Sequence, residues 1–165
     1  MKTTLGGLAF VLIATSALAD SPDSSFFKDA AEGGMSEVEL GQLAQQKASS
    51  SAVKEFGAMM VKDHTAANEK LKALAASEQV SLPDSPSVMQ KASKAKLDLL
   101  SGDTFDKSYI KGMIEDHKTD IKAFQKEATE GKDPQAKAFA TSTLPTLRMH
   151  LQKIQTIAAS AGIKD

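Results

Sequence analysis

Residues 50–79 read SSAVKEFGAMMVKDHTAANEKLKALAASEQ, and this stretch decides the fold class. Val53, Phe56, Met60, His64, Ala67, Leu71 and Leu74 follow one another by three and four residues, so they share one face of an α-helix. Ala, Lys, Gln, Glu, Leu and Met, all good helix formers, dominate here and in most of the chain beyond residue 24. Ser50-Ser51 supplies a turn and a cap, which predicts a helix from there to about Gln79.

The same period extends in both directions. Upstream, Ser24-Ser25 can cap a helix reaching about Ser49, with Phe27, Ala30, Ala31, Val38, Gly41 and Ala44 on its apolar face. Gly33-Gly34 weakens it by roughly 1 kcal/mol per Gly relative to Ala, and marks a kink or a close helix contact. Downstream, Ser81-Leu82-Pro83-Asp84-Ser85-Pro86-Ser87 is a linker long enough to cross the end of a bundle. Val88 to Leu100 reads as a short helix, with Ser101-Gly102-Asp103 as its stop and the next cap. Thr104 to Glu130 presents Ile110, Met113, His117, Ile121, Phe124 and Ala128 on one face. Asp133 as N-cap and Pro134 at the first helical position open a last helix, running to about Ser160 through Ala140, Leu144, Leu147, His150, Leu151, Ile154 and Ile157. Pro145 lies inside it, where a kink is expected. Strand-like alternation is absent. The expected fold is all-α: a ferritin-like four-helix bundle with an extra short helix and a long central crossover.

The first residues read differently. Lys2 is followed by the apolar run Leu5 to Leu12 and by Ala17-Leu18-Ala19, the pattern of a secretory signal peptide cut after Ala19. Residues 1–19 are therefore expected to be removed, leaving residues 20–165 as one helical-bundle domain with no transmembrane anchor, in the periplasm. With no Cys, an exported chain must be stable without disulfides, and thiolate metal sites and thiol catalysis are excluded. A formal net charge of −1, with no basic patch, points away from nucleic acid. No Trp and one Tyr leave little for carbohydrate stacking or an aromatic cage.

The chain has three histidines, and each falls near the middle of a different predicted helix, on its apolar face: His64, His117 and His150. In an antiparallel bundle, mid-helix residues share one level. Glu37, at the middle of the first helix, belongs to that level too. Three imidazoles and a carboxylate form a borderline-soft ligand set suited to one ion of Zn, Cu, Fe or Mn. Met60-Val61-Lys62-Asp63-His64 parallels Met113-Ile114-Glu115-Asp116-His117, so Met60 and Met113 lie one turn from a histidine and are further candidates that would favour Cu(I). Asp120, three residues after His117, could serve on the same face. The Asp before each His points about 100° away and is expected at the solvated rim. The bland alternative is a metal-free hydrogen-bonded network of the histidines with Glu37, Asn68 or Tyr109. A di-iron site is disfavoured, because Val61, Ile114 and Leu147 stand where Glu-x-x-His motifs need Glu.

Phe26 to Gly34 (FFKDAAEGG), Glu37 to Gly41 (EVELG), Met60 to His64 (MVKDH), Leu100-Ser101-Gly102 and Thr143-Leu144-Pro145 together resemble a bacterial exported family known as domain of unknown function 4142. The resemblance spans about residues 24–158 and implies a ferritin-like bundle in the cell envelope, without supplying an activity. Family members are commonly labelled outer membrane proteins, a label at odds with a helical bundle, which cannot span that membrane as a barrel does.

Three functions compete. The first is a periplasmic metal-binding protein for storage, buffering or stress protection. The second is a mononuclear metal oxidoreductase using the same residues, which would need an open coordination position. No general base stands beside the histidines, which points away from an enzyme. The third is a metal-free envelope stress or interaction module.

Overall fold

Turn chemistry and carboxylate clips set the ends of the helices. In this computed structural model, which describes residues 22–164, the helices are α1 (Ser24–Lys47), α2 (Ser51–Ser77), α3 (Val88–Asp98), α4 (Gly102–Glu130) and α5 (Pro134–Ser160). The expected leader, residues 1–19, lies outside the described part. Asp133 caps α5 as the sequence predicts, accepting from the backbone N–H groups of Gln135 and Ala136, with Pro134 beside it. Ser87 and Gln90 form a reciprocal capping box at the start of α3. The α1–α2 turn has no side-chain cap of its own. Asp106 on α4 instead accepts from the backbone N–H groups of Ser49 and Ser50 and from the Ser49 hydroxyl. Asp23 ties the α4–α5 turn down in the same way, accepting from Lys132 N and Asp133 N. Pro145 does not interrupt α5.

The long helices form two hairpins, α1 with α2 and α4 with α5. The hairpins stack with α1 on α4 and α2 on α5, while α3 lies over α1 and α4. This is the expected four-helix bundle with its extra short helix. The chain enters α4 at the end where α2 began, so α2 and α4 run the same way and residues 78–101 carry the chain back along the bundle. Among the described residues there is no strand, and no helix is long and apolar enough to cross a membrane.

The inner face of α1 differs from the sequence expectation. Leu40 and Leu43 are buried, whereas Val38 is only half-buried. Of the glycine pair, Gly34 proves to be a close contact: a Cβ there would run into Asn68 of α2. Gly41 and Gly57 bring the two backbones closer still. A Cβ on either would stand 2.6–2.7 Å from the other's carbonyl oxygen.

The core is split in two. One apolar cluster holds Leu40, Ala44, Val53, Phe56, Met60, Phe105, Tyr109, Met113, Ile154 and Ala158. The other holds Phe27, Ala31, Leu71, Ala75, Phe124, Ala140, Leu144 and Leu147. On every long helix a polar residue stands at the boundary: Glu37 between Ala31 and Leu40, His64 between Met60 and Leu71, His117 between Met113 and Phe124, and His150 between Leu147 and Ile154. Helical period delivers one such residue per helix to a common level, and the bundle closes around them.

Candidate metal centre

His117 and His150 are fully buried, and His64 and Glu37 are 7% and 2% exposed. Each histidine offers one ring nitrogen such that all three atoms lie within 4.8 Å of one another. The rings are 5.4 Å apart for His64–His150 and His117–His150, and 6.0 Å for His64–His117, centroid to centroid. Glu37 meets two of them: Oε2 lies against His64 Nε2, and Oε1 is 3.3 Å from His117 Nδ1. Phe56 closes the level from below, its ring edge-on to His117 and His150. The four residues singled out from sequence are thus brought together.

One nitrogen of each of two rings is pinned. His117 Nδ1 donates to the Met113 carbonyl at 2.9 Å, a bond made within α4 because the acceptor is four residues back. His150 Nε2 donates to Asp63 Oδ2 at 2.9 Å, a bond from α5 to α2. A carbonyl and a carboxylate can only accept, so these nitrogens carry the hydrogens. The opposite nitrogens, His117 Nε2 and His150 Nδ1, are buried with no hydrogen-bond partner, and in the neutral rings they are the lone pairs.

Electrostatics divides the roles. Burial disfavours the Glu37 carboxylate, but the three imidazoles and the His64 hydrogen bond overcome it and hold its pKa below the ordinary value. Burial likewise opposes charge on His64, yet the Glu37 charge and hydrogen bond, with Asp120 and Asp63 beyond, raise it above the usual histidine value. His150 moves the other way, lowered by burial and by its sister histidines against the pull of Asp63. The level thus favours a proton on His64 beside the Glu37 carboxylate and disfavours one on His150.

The remaining candidates take other places. Met60 and Met113 are buried one turn away, in the apolar cluster. Asp120 is half-buried outside the trio, its carboxyl pushed up to about 8 by burial and by the Glu37 and Asp116 charges against the pull of His64. Asn68 belongs to the Gly34 contact. Tyr109 is stacked on Phe105 with its hydroxyl unpartnered, so it joins no network with the histidines. Asp63 was missed. It is at the rim, as expected from its angle, but it reaches across the α2–α5 seam to His150. Asp116, its counterpart in the repeated sequence pattern, instead lines a surface cavity of about 360 Å³ beneath α3 with Tyr109 and Gly112.

This geometry fits a metal better than a self-contained network. His117 Nε2 and His150 Nδ1 are buried without a hydrogen-bond partner, which costs free energy unless a Lewis acid or a further donor satisfies them. Three imidazole nitrogens and a carboxylate are a donor set of borderline softness.

The chain belongs to the family described as Domain of unknown function (DUF4142), which matches residues 12–157. No curated protein matches it. Among solved structures, a DUF305 protein from Streptomyces coelicolor is similar with a TM-score of 0.75 at 16% identity, over 88% of this chain and 96% of that one. A DUF305 fragment from Deinococcus radiodurans gives 0.74 at 11% identity, over 86% and 98%. CopM in its Cu(I)-bound form gives 0.69 at 14% identity, over 84% and 96%. At these identities the likeness is one of fold. The DUF4142 bundle is thus shared with proteins of another family and with a copper-bound one.

Proposed function

We propose that this DUF4142 protein is a periplasmic metal-binding bundle that holds one ion at mid-height, for storage, buffering or stress protection. His64, His117 and His150 would be its ligands, with Glu37 as the fourth. The observation that carries this reading is the pair of buried, partnerless nitrogens, His117 Nε2 and His150 Nδ1, on rings that cluster with His64 beside Glu37. Supporting it, CopM, with a similar fold, has been solved with Cu(I), Ag and Cu(II) bound. The ion would neutralise Glu37 and complete the ligand set at a buried level, a design for holding rather than turning over. Export by the leader at residues 1–19 would place it in the envelope, as a ferritin-like module.

The test is thermal melting of chelator-stripped protein, made without a His tag, with Zn(II), Cu(II), Mn(II), and anaerobic Fe(II) or Cu(I) added singly. A bound ion raises the melting temperature by mass action. Each single His→Ala variant should weaken the effect, and the triple variant should abolish it. No shift with any ion, or an equal shift in the triple variant, would overturn the reading.

A further inference from the structure

We propose that Asp63 is a positioning residue for the centre: it fixes which nitrogen His150 presents, making the site one of mixed linkage, Nδ1 from His150 and Nε2 from His117. This rests on the metal reading above. The two histidines are oriented by different means. His117 has an acceptor on its own helix, the Met113 carbonyl, with Glu37 Oε1 of α1 near the same nitrogen, so its tautomer does not depend on Asp63. For His150 the recorded acceptor is the Asp63 carboxylate on another helix. An imidazole has two nitrogens, so committing Nε2–H to Asp63 leaves Nδ1 as the lone pair, and Nδ1 is the buried, partnerless atom.

The arrangement is a carboxylate–histidine pair behind a ligand position. Such a pair orients the ring and makes the facing nitrogen a better donor. The N–H···O contact is charge-assisted and of the expected length for one. It also ties α2 to α5 across a seam that the two hairpins share. Asp63 is about one-quarter exposed while the His150 side chain is 1% exposed, so the contact spans the wall of the bundle. Without the carboxylate, either tautomer of His150 becomes accessible, and one of them turns an N–H toward the centre where a lone pair is needed. The expected cost is roughly 10–100-fold in metal affinity.

The test uses the full chain labelled with ¹⁵N at histidine. Long-range ¹H–¹⁵N spectra of the metal-free protein should show His117 as the Nδ1–H tautomer and His150 as the Nε2–H tautomer. Asp63→Ala should leave His117 unchanged and make His150 a mixture. Asp63→Asn, whose amide can turn an N–H as readily as an oxygen toward His150 Nε2, should keep the fold and the packing yet lose the fixed tautomer and much of the affinity, which a merely structural role for Asp63 would not predict. With ¹¹³Cd(II) added, coupling should appear at His150 Nδ1 and His117 Nε2. Parent His150 found as Nδ1–H, a tautomer unmoved by Asp63→Ala, or cadmium coupling at His150 Nε2 would overturn the assignment. Correct tautomers with no cadmium coupling at any histidine would overturn the linkage together with the metal reading, and leave the tautomer control by Asp63 standing.

Discussion

Glu37 Oε2 lies against His64 Nε2 at the middle of the bundle, a buried ion pair joining α1 to α2. Its two pKa shifts have opposite signs and define a window. Glu37 is lowered, so its contribution is present above the unfolded value, about 4.3, and is lost as pH falls through the depressed folded value. His64 is raised, so its contribution is present below about 6.5 and is lost as pH rises through the elevated folded value. The pair's contribution to the metal-free protein should therefore be fullest between those limits. Glu37→Gln should lower stability within the window by roughly 1–3 kcal/mol and flatten both flanks, because Gln keeps an acceptor and loses the charge. Melting curves from pH 3 to 9 check this. An unchanged pH profile in Glu37→Gln would contradict it.

Where α1 crosses α2, Gly41 and Gly57 leave no room for a methyl group. The obstacle on each side is the partner's backbone carbonyl, which cannot rotate away. Gly41→Ala and Gly57→Ala should each destabilise the bundle by ~1–3 kcal/mol through overpacking, despite the better helix propensity of Ala. Gly33→Ala, where a Cβ meets nothing within 4 Å, should be neutral or stabilising. Chemical denaturation of the three variants separates these outcomes.

The long helices were legible because propensity and period agree over more than twenty residues each, and the shared level of Glu37, His64, His117 and His150 follows from helices of similar length packed antiparallel within each hairpin. The inner face of α1 was less legible. Gly33, Gly34 and Gly41 dilute its pattern, so Val38 stood out where Leu40 and Leu43 are the buried residues. The start of α4 also shifted from about Thr104: Gly102, at φ 57°, takes the left-handed turn and begins the helix, with Ser101 of the expected Ser101-Gly102-Asp103 segment in the cap position. Asp63 was hidden for a geometric reason. A one-helix projection places it off the histidine face, and its partner His150 is eighty-seven positions away on a helix whose rotation the sequence does not specify.

Asp120 faces the Glu37 charge from α4, and its folded value of about 8 lies far above the ordinary carboxylate value. A raised carboxyl favours the fold at pH below its unfolded value, about 3.9, and that contribution fades as pH climbs through the folded one. Part of this is screened, since the side chain is only half-buried. Asp120→Asn should raise the metal-free melting temperature at pH 8 by about 2–5 °C, on the order of 1 kcal/mol, with little change at pH 4. Glu127, raised to about 7 by burial and the nearby Asp23 charge, adds a slope of the same sign that this variant keeps. A variant no more stable than the parent at pH 8 would show that Asp120 is not held neutral.

Loading the centre should release a proton. Glu37 raises the affinity of His64 for a proton, so the pair favours holding one. A ligating imidazole must give that proton up, so metal and proton compete for the same nitrogen. Calorimetric titrations with Zn(II) in two buffers of different ionisation enthalpy should give about one proton released per ion bound at pH 6.5. Apparent affinity should fall further as pH drops, since more of the protein then carries the proton that must leave. In Glu37→Gln the imidazole loses the charge that holds its proton, so the release should shrink well below the parent value even though binding is weaker. Equal release in parent and variant would mean that the displaced proton comes from elsewhere, and that the pair at mid-bundle is not the group the ion replaces.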